Sequence, residues 1–215
     1  MMVKPLDRAG IAARIAQDIP EGWFVNLGIG IPTGVADCVP PEREVIFHSE
    51  NGVIGAGPAP DPDNVNPYLL NAGTQHITLR TGGSFVHHAD SFAIARGGHL
   101  DLCVLGAFEV SETGDIANWA RAADEPVKQV GGAMDLAIGA KRLWVAMEHI
   151  TKSHGGSRIR RRCTYPLTAK GVVKRVYTDL AVLDVTPDGF VVIDMIPGMT
   201  RRQLQDRSEA ELIFP

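Results

Sequence analysis

The chain has 215 residues, 45% hydrophobic and 21% charged, with a formal net charge of −4. That balance fits one globular domain spanning residues 1–215 and excludes a disordered chain or a strongly basic nucleic-acid-binding surface. No run approaches the roughly 20 apolar residues that a membrane span needs, and the scattered Cys38, Cys103 and Cys163 form no disulfide framework, so a cytoplasmic protein with no nucleic-acid or membrane partner is expected.

In chain order, Asp7 is placed to cap a helix running to about Asp18, where Ile11, Ile15 and Ile19 recur every fourth position beside Ala12 and Ala16. A strand at 23–27 runs into Gly28-Ile29-Gly30-Ile31-Pro32-Thr33, and Pro32 suits the first turn of a helix holding Val35, Ala36 and Val39. This order is that of a phosphate-cradling loop, or of a tight turn with no ligand. Next, Val45-Ile46-Phe47 forms a strand ending in Ser49, Glu50 and Asn51, and a glycine-rich turn follows through Gly52, Gly55 and Gly57. Residues 58–67, rich in Pro, Asp and Asn, are expected as an irregular loop. A short strand at 76–79 and a helix over 84–95 follow, the helix from the spacing of Phe85, His88, Phe92 and Ala95. Residues 100–105 read as a buried strand ending at Gly106-Ala107. Residues 115–119 and 122–126 are expected to form a polar connection, 133–140 a helix, 142–147 a strand ending at Glu148-His149, and 158–162 a basic loop. Strands near 172–177, 180–185 and 190–194, a Pro187-Asp188-Gly189 turn and a Thr200/Gln203 capping box complete the chain. The alternation gives an α/β class with a mainly parallel central sheet flanked by helices, and the short turns of the tail add antiparallel strands toward the C-terminus.

In an open α/β sheet, functional groups are displayed where strands stop. Glu50 is a carboxylate at such an end, backed by glycines that let backbone and ligand approach; the alternative is an ordinary glutamate in a surface hairpin. If the strand ends at Glu50, Gly28 and Gly106 share one rim, that rim offers a nucleophile or base, a candidate anion loop, and N–H donors at Gly106-Ala107 for a developing oxyanion. These parts suit acyl transfer. The chain has no complete Gly-x-Gly-x-x-Gly, no Gly-Lys-Ser/Thr loop and no Gly-x-Ser-x-Gly elbow. No metal is expected, because His87 and His88 are adjacent and His48, His76, His99, His149 and His154 show no zinc spacing.

The run Phe47-His48-Ser49-Glu50-Asn51-Gly52-Val53-Ile54-Gly55 resembles the signature of the family I CoA-transferases at every motif position. The resemblance extends over nearly the whole chain, through Val25-Asn26-Leu27-Gly28-Ile29-Gly30-Ile31-Pro32-Thr33, Asn71-Ala72-Gly73, Arg96-Gly97-Gly98-His99-Leu100-Asp101, Val104-Leu105-Gly106-Ala107-Phe108, Gly114-Asp115-Ile116-Ala117-Asn118-Trp119, Gly131-Gly132-Ala133-Met134-Asp135-Leu136 and Cys163-Thr164-Tyr165-Pro166-Leu167-Thr168. It is to the B (β) subunit of the two-chain members. The segment Phe85-Val86-His87-His88-Ala89-Asp90-Ser91-Phe92 is most similar to members acting on 3-oxoadipate, with acetoacetate-type succinyl-CoA:3-oxoacid relatives as the near alternative.

The resemblance implies a CoA-transferase (NagB/RpiA-like) fold and transfer of CoA from succinyl-CoA to a 3-oxo acid through a covalent thioester on Glu50. It implies oxyanion donors from Gly106 and Ala107, and a coenzyme A site bordered by Asn26, Gly28, Gly30 and Lys152, though Lys152 reads equally as a solvated lysine. It further implies coenzyme A esters as substrates, no permanently bound cofactor, and an A (α) subunit partner in an A2B2 heterotetramer. A dicarboxylate acceptor needs a cation or strong donors for its distal carboxylate. Arg80, Arg96, His87 and His88 are candidates, whereas the basic segment from Ser153 to Arg162 has two readings, a contact to the coenzyme A phosphates or, favoured of the two, a solvated loop. The competing readings are a non-catalytic acyl-CoA-binding subunit and a hydrolase in which Glu50 directs water onto a thioester.

Overall fold

The side chain of Asp7 accepts from the Gly10 N–H at 2.7 Å and starts α1 (Arg8–Asp18), which buries Ile11, Ala12, Ile15 and Ala16. The computed structural model describes residues 3–121, 130–152 and 155–215; the connection expected at 122–126 and the Ser153-His154 start of the basic segment lie outside the described residues. After α1 come β1 (Phe24–Leu27), a 3-10 turn (Ile31–Gly34), the single-turn α2 (Val35–Cys38), β2 (Ile46–Ser49), β3 (Val53–Ala56), β4 (Leu79–Phe85), α3 (His88–Arg96) and β5 (Leu102–Gly106). Then follow β6 (Glu109–Ser111), β7 (Ile116–Ala117), α4 (Ala133–Gly139), β8 (Leu143–Ala146), β9 (Ile159–Arg160), β10 (Val173–Tyr177), β11 (Ala181–Thr186), β12 (Gly189–Met195), α5 (Arg201–Gln205) and β13 (Leu212–Ile213). The capping box at Thr200 and Gln203 forms as its spacing predicts.

Ten strands make one sheet in the order β13-β12-β11-β10-β8-β5-β1-β2-β3-β4. The centre, β10-β8-β5-β1-β2, is parallel. Antiparallel strands lie on both flanks, β11 and β12 on one side and β3 and β4 on the other. The sequence pattern predicts them only toward the C-terminus. The difference arises just after Glu50, where the expected glycine-rich turn is shorter: Gly52 turns the chain and Val53 to Ala56 returns beside β2. The open edge of β3 then captures residues whose spacing predicts a helix. Phe85 pairs with Val53 and Ser84 with Ile54, so the helix expected over 84–95 begins at His88, with the His87 ring accepting from Ala89 N–H at 3.2 Å. Tertiary pairing overrides the helical spacing of Phe85.

The two faces of the sheet carry separate apolar clusters, and adjacent strand residues alternate between them. From β5, Leu102 and Val104 pack with α1 and α2, while Cys103 and Leu105 pack with α3 and α4. Beside α3 and α4 sits a second sheet, β7-β6-β9. It replaces the polar connection expected at 115–119 and the basic loop at 158–162; Val110, Ile116 and Ile159 are fully buried there. Strands of two or three residues are too short to show alternation in sequence.

From β1 the chain proceeds to β2 on one side, whereas β5, β8 and β10 are added on the other. The crevice between the carboxyl ends of β1 and β5 is therefore the place where an open α/β sheet binds ligands.

Gly52 has φ +107°, and a methyl group there would run into the Val86 carbonyl oxygen. Gly52→Ala is expected to destabilise the fold by about 3 kcal/mol, read as a shift of the urea midpoint; an unchanged midpoint would show that the hairpin turn is not constrained in this way.

Candidate active site

A cavity of about 630 Å³ opens at the carboxyl ends of β1, β5 and β8, and Glu50 lines it together with Gly28, Gly30, Gly106 and Ala107. Glu50 follows β2 at the tip of the β2–β3 hairpin, where Gly52 N–H donates to Ser49 O at 2.9 Å. The strand-end and hairpin readings of this residue thus describe one geometry. Its side chain is half-buried, and a methyl group on Gly132 would lie 2.5 Å from both Glu50 Oε2 and the Phe92 ring. Burial raises the Glu50 pKa, partly offset by the nearby His88. Desolvation that makes a carboxylate more basic also makes it a better nucleophile.

The turn is held from below by a buried chain of hydrogen bonds. Asn26 Nδ2 donates to His48 Nδ1 at 2.9 Å and to His48 O at 3.2 Å. With Nδ1 accepting, the proton is assigned to His48 Nε2, which faces Ser91 Oγ at 2.8 Å. The Ser91 hydroxyl donates to Glu50 O at 2.8 Å. The Cys103 thiol donates to Asn26 Oδ1 at 3.4 Å. Burial lowers the His48 pKa to about 4, consistent with a neutral ring in this chain. From above, Ser49 Oγ accepts from Ala72 N–H at 2.9 Å and Asn51 Nδ2 donates to Leu70 O at 2.8 Å, which ties the loop before β4 to the same turn. On the other wall, β5 runs beyond its last pairing with β1, where Gly28 N–H donates to Val104 O at 2.8 Å. Asn118 Nδ2 holds Gly106 O at 3.1 Å, and Thr168 Oγ1 donates to Asn118 Oδ1 at 2.6 Å.

The expected site residues divide cleanly. Glu50, Gly28, Gly30, Gly106 and Ala107 come together. Asn26 does not reach the cavity: it is 1% exposed, its amide engaged by His48 and Cys103. Lys152 is 80% exposed and pairs with Glu148 Oε1 at 2.7 Å, and it is Glu148 that lines the cavity. The two arginines considered for a distal carboxylate also lie elsewhere. Arg96 pairs bidentately with Asp135 at 2.8–2.9 Å, and Arg80 donates to Arg43 O. The cavity instead receives Arg158, from the segment expected to be solvated. Its sequence signal is a cluster of arginines; its inward placement depends on β9 pairing with β6. Among the described residues no three His, Cys, Asp or Glu side chains converge as a metal-holding group, and no helix is long and apolar enough to cross a membrane.

A half-buried carboxylate at a sheet switch point lines one cavity with a small-residue turn, an arrangement that can support acyl transfer. The coenzyme A transferase family matches residues 8–206, and the chain belongs to it. It is 52% identical over 212 residues to the B subunit of 3-oxoadipate CoA-transferase from Pseudomonas putida, covering 99% of each chain. It is 45% identical over 204 residues to the B subunit of succinyl-CoA:3-ketoacid coenzyme A transferase from Helicobacter pylori, covering 95% of this chain and 97% of that one. The fold is shared with the crystal structure of acyl-CoA transferase YdiF from Escherichia coli, with a TM-score of 0.75 at 19% identity, over all of this chain and 43% of that longer one.

Two buried histidines set the acid limb of stability. His149, bonded to Thr178 Oγ1 and Ser208 Oγ, is like His48 lowered to about 4 by burial. A depressed histidine contributes stability that is present above the unfolded value near 6.5 and lost as pH falls toward 4. Each is expected to cost on the order of 3 kcal/mol across that window. His48→Gln is expected to be less stable at pH 7 yet to lose less between pH 6.5 and 4, measured by urea unfolding; parallel profiles for variant and parent would refute this.

Proposed function

We propose that the chain is the B subunit of an enzyme that moves CoA from succinyl-CoA to 3-oxoadipate through a thioester on Glu50. The observation that carries this reading is the placement of the half-buried Glu50 carboxylate in one cavity with the Gly106-Ala107 turn. The relative acting by name on 3-oxoadipate is 52% identical, against 45% for the 3-ketoacid relative, which favours 3-oxoadipate over acetoacetate as acceptor. The substrates are coenzyme A esters, and the chemistry needs no resident cofactor.

In this reading the Glu50 carboxylate attacks the acyl carbon of succinyl-CoA. The oxyanion faces the backbone N–H groups of Gly106 and Ala107, and CoA leaves as the thiolate. The thiolate then attacks the Glu50 carbonyl of the acyl-glutamyl anhydride, succinate departs, and CoA remains on Glu50. The acceptor carboxylate attacks that thioester and the steps run in reverse, restoring the Glu50 carboxylate. Gly28 and Gly30 border the thiol end. Asn26 serves from beneath through His48, and Lys152 reaches the coenzyme only by leaving Glu148. Water must be kept from the thioester, and this chain leaves Ile29, which lines the cavity, 65% exposed, with Tyr68 and Phe85 exposed elsewhere on its surface. An A subunit covering Ile29, in an A2B2 assembly of single-domain chains, supplies the closure. The free Cys38, Cys103 and Cys163 support a reducing cytoplasm.

The test is to co-express both subunits, incubate with succinyl-CoA, trap with borohydride or hydroxylamine, and map the product by mass spectrometry. Modification at Glu50 is expected, Glu50→Gln should lower turnover by roughly 10³-fold or more, and the acid limb of kcat/KM should lie above the ordinary glutamate value because the pKa is raised. Modification elsewhere, or CoA release without an acceptor, would overturn the transferase reading.

A further inference from the structure

Resting on the transfer reaction proposed above, we propose that Arg158 binds the far carboxylate of the acyl group, the one that does not react. Its backbone is fixed: Arg158 N–H donates to His149 O at 2.9 Å, and Val110 N–H donates to Arg158 O at 3.0 Å. Its side chain lines the cavity that holds Glu50 and is only 18% exposed. Its Nε–H is buried with no acceptor among the described residues. The carboxylate beside it does not supply one, because Glu148 Oε2 is 3.9 Å from Arg158 Nη2, beyond hydrogen-bond reach, while Glu148 Oε1 holds Lys152 at 2.7 Å.

The charges around Arg158 leave room for an anion. Glu148 and Asp179 favour its charge, Arg121 opposes it, and burial outweighs them all, lowering its pKa. A guanidinium drawn out of water without full compensation is costly, and a carboxylate presented to its planar fork restores two hydrogen bonds at once. A carboxylate or a phosphate fits that chemistry. The phosphates of CoA lie at the far end of the pantetheine arm from the thiol, whereas Arg158 shares a cavity with the residue the thiol must reach. The anion that arrives there is the one carried by the acyl group. Succinate and 3-oxoadipate each carry such a second carboxylate, so a single arginine serves both halves of the exchange, and a monocarboxylic acceptor has nothing to offer it.

The experiment has two arms on the assembled enzyme, with both subunits present. In the first, the enzyme–CoA thioester is offered 3-oxoadipate and 3-oxohexanoate together; these differ in a carboxylate against a methyl group at the far end. The product ratio reads the acceptor step alone, free of differences in folding or active fraction. Arg158→Met is expected to reduce the preference for 3-oxoadipate by 10- to 100-fold, and Arg158→Lys, which keeps the charge but not the fork, by severalfold. An unchanged ratio, or an equal loss for both acceptors as expected of a CoA-phosphate contact, overturns the proposal. In the second arm, the parent complex is treated with phenylglyoxal and Arg158 modification is followed by mass spectrometry. Glutarate is expected to slow it at least threefold and butyrate not at all; equal effects overturn the proposal. This arm needs no turnover, so it tests Arg158 even if Glu50 carries no thioester, a result that would count against the transfer reaction instead.

Discussion

The hydrogen bond from the Ser91 hydroxyl to the Glu50 carbonyl is the contact on which the site depends. Glu50 sits at the tip of a tight hairpin, and burial disfavours its charge. A carboxylate in that position would relax outward into water if its backbone were free. Ser91 belongs to α3 and fixes that backbone, and Ser91 is itself held by His48. His48 is held by Asn26 on the next strand. Three elements of the fold, β1, β2 and α3, thus converge on one carbonyl group. Because each donor in the chain is also an acceptor, the bonds reinforce one another in a dry interior. Gly132 completes the arrangement from α4, since any side chain there would occupy the space of the carboxylate.

The parallel centre of the sheet and the small second sheet divide the remaining work. The reversal of strand order at β1 leaves β5 projecting past its neighbour and brings Gly106 to the crevice. The small sheet sets the opposite wall. Asn118, just after β7, holds the Gly106 carbonyl, and Arg158, just before β9, enters the same cavity. Rotation of the Gly106-Ala107 turn is resisted by Asn118 and by the Thr168 hydroxyl behind it. The oxyanion donors of the proposed mechanism are therefore preorganised from outside the strand that bears them.

Much of this is legible in the sequence, for identifiable reasons. The α1 cap at Asp7, the buried run of β5, the turn at Pro187-Asp188-Gly189 and the final capping box are local features, set by residues close together in the chain. Glu50 is legible because its motif is long and specific. What is not legible depends on distant pairing. Phe85 joins a strand because β3 offers an edge, not because of its neighbours. Asn26 is expected as a ligand contact through the family resemblance, yet strand alternation points it at His48. Arg158 reads as solvated because arginines surround it, and only the register of β9 against β6 turns it inward. Arg160, two residues on, is also partly buried, and it pairs with Glu109 and Glu209.

In the proposed mechanism, a thioester held on Glu50 must survive not only water but the chain's own thiols. Cys103 is the thiol nearest in this sense: it lies beneath the cavity floor, and the Glu50 charge acts on it. Transthioesterification needs a thiolate. Burial, and then the negative charge of Glu50, raise the Cys103 pKa far above the ordinary thiol range, and the S–H is occupied in donating to Asn26 Oδ1. Cys163 is pushed up to about 12 by burial and by Glu109 and Asp115, and Cys38 is raised as well. The same desolvation that raises the Glu50 pKa therefore silences the thiol below it. Burial destabilises both anions, but it acts on a carboxylate from the ordinary acid range and on a thiol from a much higher one. For the proposed mechanism, one dry environment thereby favours oxygen over sulfur as the nucleophile.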